Sequence, residues 1–200
     1  SGGNFNLKPT AASNGDNLYY GAITCSLGAR YKSYCSNVGR TYFINPTKSQ
    51  EKTYKLLLEL EAEAISTLKP GAKLSAVMTA VVNRLKSKAP HLEKLLTKNC
   101  GFATGIEFKE GSMPLNAKSE VIVRPGMVFN VALGFENVED RDATDTRGKT
   151  YGVFLADTVL VTESGAPEVY TDKAPKQWGD ISYYLKDGCV LRLEPWRLRG

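Results

Sequence analysis

The stretch GMVFNVALGF, residues 126–135, alternates with a period of two: Met127, Phe129, Val131, Leu133 and Phe135 fall on one side, and Val128, Asn130, Ala132 and Gly134 on the other. A pleated strand turns successive side chains to opposite faces. The stretch therefore predicts a strand with one large apolar face packed inward and one small-residued face, as the wall of a cleft would be. Upstream the period changes. Tyr54, Leu57, Leu58, Ile65 and Leu68 recur at three-to-four spacing and stop at KPG, residues 69–71; Leu74, Val77, Met78, Val81, Val82 and Leu85 then repeat the pattern. Two amphipathic helices are predicted, each with an apolar stripe directed to the core. Further upstream, Ile23, Cys25 and Leu27 alternate with Thr24 and Ser26, which predicts two long strands joined near residues 30–32. Downstream, the acidic ENVEDRDATDTRGK, residues 136–149, reads as an exposed loop, and YGVFLADTVLVT, residues 151–162, as another strand. Strands, two helices, then strands define an α+β class, with helices on one face of a curved, mostly antiparallel sheet.

Composition sets the frame. Two hundred residues at 42% hydrophobic content suffice for one domain with a real core or two small lobes. No run is long and apolar enough to cross a membrane, and no signal-peptide pattern opens the chain, so no membrane partner is expected. The chain starts at Ser1, which suggests a piece of something longer. The four cysteines, Cys25, Cys35, Cys100 and Cys189, form no C-x-x-C pair and read as small hydrophobes in a reducing compartment. With 26 basic and 21 acidic side chains the net charge is only +5, and the lysines are scattered. Direct DNA binding by this domain is not expected on that balance.

Catalytic chemistry is hard to assemble from these residues. His91 is the single histidine, in a helix-end context that suits a surface or capping role. Hydrolytic metal sites need several anionic oxygen or imidazole donors, and Ser or Cys nucleophiles need a base. Phosphate-cradling glycine motifs are also missing from the sequence.

Four stretches carry a resemblance: SLGARYKSYCSNVGRTYF at 26–43, CGFATGIEFKEG at 100–111, RPGMVFNVALGF at 124–135 and FLADTVLVT at 154–162. In this order they resemble the pita-bread (creatinase/aminopeptidase-like) metallo-aminopeptidases, which include methionine aminopeptidase, aminopeptidase P and prolidase. In that family two aspartates, a histidine and two glutamates hold two metal ions that activate a water. Carried over position by position, the aspartates fall on Ser26 and Asn37, the histidine on Phe102 and the glutamates on Ala132 and Ala156. A second, substrate-facing histidine falls on Lys109. The resemblance thus implies a retained fold without its catalytic centre: no enzyme, no metal and no cofactor, with Phe102 filling the space of the metals.

One branch of the superfamily, the inactive aminopeptidase-like domains of FACT-type histone-chaperone large subunits, is similar through SGGNFNLK, GAITCSLGARYKSYCSNVGRTY, GIEFKEGS, LNAKSE, GMVFNVALGFENVE and ADTVLVT. That likeness implies an aminopeptidase-like pseudoenzyme unit over 1–178, followed by a tail, 179–200, that departs from the family. It implies a nuclear, chromosomal protein that reorganises nucleosomes in transcription elongation, DNA replication and DNA repair. The implied partners are histones, chiefly their tails, with an HMG-box small subunit held by other regions of the full protein. Peptide contact is expected at the degenerate-cleft positions Ser26, Asn37, Phe102, Lys109, Ala132 and Ala156. Glu107 and Glu110, with the acidic loop 136–145, are the carboxylates that would meet histone cations. Lys109 is expected to face the cleft, to cap a carbonyl or to pair with Glu107. The competing expectations are a docking scaffold for replication or transcription factors and, least favoured, a residual metallo-aminopeptidase.

Overall fold

Two residues with left-handed backbone, Lys32 (φ 45°) and Ser33 (φ 72°), reverse the chain between β1 (Ala22–Tyr31) and β2 (Tyr34–Ile44). A two-residue turn of this hand matches the right-handed twist of the strands it joins. The hairpin is in continuous antiparallel register from Tyr31 opposite Tyr34 to Ala22 opposite Phe43. The computed structural model describes residues 5–8, 11, 15, 18–144, 146–163 and 165–185. The sequence from 187 to 200, including Cys189, lies outside them.

Helix α1 (Lys48–Thr67) starts at a capping box: the Thr47 hydroxyl accepts from Gln50 N at 3.2 Å, and the Gln50 side chain accepts from Thr47 N at 3.1 Å. It ends before Pro70, and Gly71 (φ 86°) turns the chain towards α2 (Leu74–Lys88). The buried face of α1 comprises Tyr54, Leu57, Leu60, Glu61 and Ala64. Leu58 and Ile65, expected in the stripe, lie half-buried at its flank. In α2 the buried row is Leu74, Val77, Val81 and Leu85, with Met78 packed beside it.

A 3-10 turn (Pro90–Leu95) leads into the short β3 (Gly101–Ala103), followed by β4 (Val128–Glu139) and β5 (Thr150–Leu160). Sheet order is β1-β2-β5-β4-β3, with every neighbouring pair along it antiparallel. Phe129, Val131, Leu133 and Phe135 of β4 and Val153, Leu155 and Val159 of β5 are fully buried with the helical rows. Each such side chain contributes about 1.5–3 kcal/mol on leaving water. This is the inward face the alternation predicted.

One expectation changes. The supposed loop 136–149 begins as strand: a bulge between Phe135 and Val138, with Asn137 at φ 54°, lets β4 run to Glu139. Asp140 is buried, where its carboxylate accepts from the Thr47 hydroxyl at 2.8 Å and ties the strand connection to the start of α1. Asp145 lies outside the described residues. Residues on both sides of position 178 pack onto the sheet and α1. After β6 (Glu168–Val169), which pairs with β5, the turn α3 (Trp178–Ile181) sets Trp178 5.1 Å from the Phe43 ring and 5.9 Å from Tyr54, and β7 (Ser182–Tyr183) pairs parallel with β2. Cys100 is buried; Cys25 and Cys35 are half-buried, and all three are free thiols. Among the described residues no helix is long and apolar enough to cross a membrane.

Candidate functional site

Residues paired directly across an antiparallel ladder point to the same side of the sheet, and so do residues two apart on one strand. Ser26 pairs with Gly39, Gly39 with Ala156, Ala156 with Ala132, Asn130 with Thr158, and Phe102 with Asn130. Asn37 lies two residues from Gly39. Ser26, Asn37, Phe102, Ala132 and Ala156, drawn from five strands, therefore share the sheet face that turns away from the helices. The centre of this face is built small: a Cβ on Gly39 would stand 2.4 Å from the Phe154 ring and 2.8 Å from the Ala156 methyl. At one end Phe5 and Leu7 lie over Gly152 and Gly134, and Leu7 N donates to Glu136 Oε1 at 3.0 Å.

The polar side chains of this face largely satisfy one another. Asn37 Nδ2 donates to Ser26 Oγ at 3.2 Å and to the Leu27 carbonyl at 3.1 Å. Asn37 N donates to Thr158 Oγ1, whose hydroxyl donates back to the Asn37 carbonyl, both at 2.9 Å. Ser26 remains exposed, Asn37 is buried, Ala132 is half-buried and Ala156 is fully buried. Asn130 and Thr104 are different: both are buried, and Asn130 Oδ1 and Thr104 Oγ1 have no hydrogen-bond partner in the protein.

Phe102 is 3% exposed at the β3 edge of the face. Its ring meets Phe108 edge-on, centroids 5.4 Å apart at 79°. Lys109 forms no ion pair with Glu107; its Nζ stands 5.5 Å over the Phe102 ring. Gly101 makes this placement possible. Its φ of 121° is glycine territory, and a Cβ there would stand 1.9 Å from the Asn130 carbonyl oxygen. The 105–111 loop carries Glu107, exposed, and Glu110, half-buried, beside the hairpin tip, to which it is fastened by Cys35 N donating to the Gly105 carbonyl at 2.7 Å.

The opposite face of β5 holds an ionic cluster that periodicity did not reveal. Asp157, fully buried, accepts from Arg40 Nη2 at 2.8 Å, Lys176 Nζ at 2.6 Å and Thr171 Oγ1 at 2.5 Å. Lys176 also reaches Glu61 Oε2 at 2.7 Å, while Glu61 Oε1 is buried without a partner. Arg40 spends its remaining donors on the carbonyls of Gly39, Ala156, Ala174 and Pro175. Burial, reinforced by the Asp157 charge and opposed by Lys176, pushes the Glu61 carboxyl up to about 7. Burial alone would raise Asp157 too, but hydrogen bonds from Lys176 and Thr171 outweigh it and hold that carboxyl below its ordinary value. The signals were present: Glu61 sits four residues after Leu57 on the buried stripe, and Asp157 interrupts an apolar strand face.

The fold defines the class. The chain belongs to metallopeptidase family M24, whose sequence model matches residues 1–163. Within that class, it is similar to the FACT complex subunit SPT16 of Yarrowia lipolytica, at 46% identity over 184 residues, and to that of Arabidopsis thaliana, at 44% over 190. It covers 18% of the length of either relative, which in turn span 92% and 94% of this chain. The solved N-terminal domain of FACT complex subunit SPT16 from chickpea superposes with a TM-score of 0.86 at 42% identity, over 91% of this chain and 43% of that one. A prolidase from Pyrococcus horikoshii superposes at 0.70 and 22% identity, over 86% and 45%, and shares the fold alone. The pita-bread architecture expected from the sequence is the one present. The full-length relatives are named as FACT subunits, not as peptidases, and among the described residues no group of three or more His, Cys, Asp or Glu is placed to hold a metal ion.

Proposed function

We propose that this chain is a non-catalytic recognition module of a FACT-type histone chaperone, binding extended histone-tail segments on the sheet face that carries Ser26, Asn37, Phe102, Ala132 and Ala156. The observation that carries this reading is the convergence of those five positions on one face, each bearing a neutral side chain. A phenyl ring and two methyl groups offer no lone pair, and Ser26 and Asn37 are engaged with each other. The residues present do not fit the two-ion centre of the peptidase family. What persists is a small-residued floor flanked by the loop bearing Glu107 and Glu110, suited to an extended basic peptide. The names of the relatives supply the FACT context and support this reading; the nucleus, chromatin, and roles in transcription, replication and repair are proposed with it, and the HMG-box subunit would be held by other parts of the longer protein.

The test is fluorescence anisotropy with labelled N-terminal peptides of the core histones. Saturable binding at moderate salt is expected, and Ala132→Arg, which fills the floor, removes it. Equal binding by the wild type and Ala132→Arg, or no binding by any peptide, refutes the cleft reading.

A further inference from the structure

We propose that the cleft selects a lysine side chain, seated with its ammonium against the Phe102 ring, and that Lys109 occupies this place in the free protein. The inference rests on the peptide-binding reading and names the side chain that face recognises. Three features converge beside Phe102. The first is the ring itself, edge-on to Phe108, with the chain's own ammonium 5.5 Å above its centroid. An aromatic face attracts a cation through its quadrupole, most strongly where water is excluded.

The second feature is the pair of oxygens without a donor. Asn130 lies directly across the ladder from Phe102, and Thr104 follows two residues along, where its N–H donates to the Val128 carbonyl at 2.9 Å. Asn130 Oδ1 and Thr104 Oγ1 are unpartnered, in residues 3% and 6% exposed. A buried acceptor left unmade is unfavourable, whereas hydrogen bonds from a charged donor are among the strongest a protein makes. The third is the chemical type of the donor set. An amide oxygen, a hydroxyl and an aromatic face form a neutral, acceptor-rich site that suits an ammonium with N–H groups. Trimethylated lysine keeps the charge but has no N–H to give these two oxygens.

Lys109 is thus an internal competitor. It holds the ring without reaching either oxygen, so an incoming lysine gains two hydrogen bonds that Lys109 does not make.

The experiment compares a lysine-bearing histone-tail peptide with versions in which each lysine is replaced by norleucine or trimethyllysine, titrated against the 200-residue chain. The expected result is about tenfold weaker binding when one particular lysine becomes norleucine or trimethyllysine. Lys109→Ala should tighten the lysine peptide about threefold and leave the norleucine peptide unchanged. Asn130→Leu should lose the preference for lysine while its Tm stays level or rises, since it removes an unsatisfied buried polar group. Three results overturn the proposal: norleucine or trimethyllysine peptides binding as well as lysine, Lys109→Ala weakening the lysine peptide, or Asn130→Leu lowering Tm, which would show the amide to be satisfied structurally. In the first case peptide binding in the cleft stands without lysine selection; if no peptide binds at all, both readings fall.

Discussion

Replacing Glu61 with glutamine should remove a pH dependence that the wild-type fold carries. The carboxyl is 1% exposed, with one oxygen on Lys176 and the other unpartnered near the Asp157 charge. Its folded-state pKa of about 7 stands above the ordinary value of 4.5. Between those values the native state holds a proton that the unfolded chain has released. Stability therefore falls as pH rises through that window, and the full cost is present above it. At 1.36 kcal/mol per unit, the loss is about 3 kcal/mol. The Asp157 contribution has the opposite sign and lies elsewhere: a lowered carboxyl pKa adds stability above its ordinary value of 3.8, lost only as pH falls through the lower folded pKa. Lys176, whose pKa is raised because Glu61 and Asp157 outweigh its burial, loses its contribution only in strongly alkaline solution. Glutamine reproduces the protonated carboxyl, accepting from Lys176 and offering an N–H towards Asp157. Urea unfolding followed by far-UV circular dichroism, for both proteins from about pH 5 to about pH 8, measures the difference. The two should coincide near the acid end and diverge by about 3 kcal/mol, in favour of Glu61→Gln, at the alkaline end. Because the two proteins differ only at this carboxyl, parallel profiles would refute the assignment of a retained proton to Glu61.

Arg40→Met should cost about 3–5 kcal/mol, because it strands part of a buried charge cluster and four carbonyls; Arg40→Lys should recover little of this, since one ammonium cannot reach the same fork of acceptors. Chemical denaturation of the two variants decides the matter, and a loss below about 1 kcal/mol would contradict the geometry. Gly101→Ala should destabilise by at least about 2 kcal/mol, as the added methyl meets the Asn130 carbonyl oxygen at a φ of 121°. Hydrogen exchange should show the loss centred on β3. Prolonged chelation should leave Tm and peptide binding unchanged, because stability linked to a bound ion would fall as the ion is withdrawn; a chelator-induced drop in Tm reversed by zinc, manganese or cobalt would restore the metallopeptidase reading.

Much of the architecture is legible because periodicity reports which way a side chain points. The two-residue alternation in 126–135 places Phe129 and Val131 in the core and Ala132 on the opposite face, and the structure keeps that division. Pattern fails where the chain departs from its period. Asn137, in the left-handed region, inserts a bulge, after which the acidic residues 136–140 read as loop although β4 continues through most of them. Helix α1 shows a second limit. Counting apolar residues alone put Leu58 and Ile65 in the stripe, whereas the buried positions include Glu61, tolerated there because Lys176, far along the chain, reaches it. The site depends on longer-range register still. Ser26 and Asn37 share a hairpin and their proximity follows from its turn, but the ladder register between that hairpin and β5 is a single pairing of Gly39 with Ala156, reinforced by hydrogen bonds such as those between Asn37 and Thr158, which no local pattern encodes. Lys109 departs from the simplest charge-pairing expectation, with an aromatic ring as its neighbour in place of a carboxylate.

If Ser26 and Asn37 stand where the peptidases carry metal ligands, as proposed above, the hydrogen bond between them also bears on whether such a surface could acquire hydrolysis. A dinuclear centre functions only when its whole set of donors is present, so a lineage restoring carboxylates would do so one at a time. The first aspartate at 37 would stand buried, without a cation and without the amide donors that now hold Ser26 and the Leu27 carbonyl. Each early step would lower stability before any ion could bind, and natural proteins have little stability to spare. On the proposed correspondence the neutral pair would therefore act as an evolutionary ratchet, closing the stepwise route to hydrolysis while the fold persists.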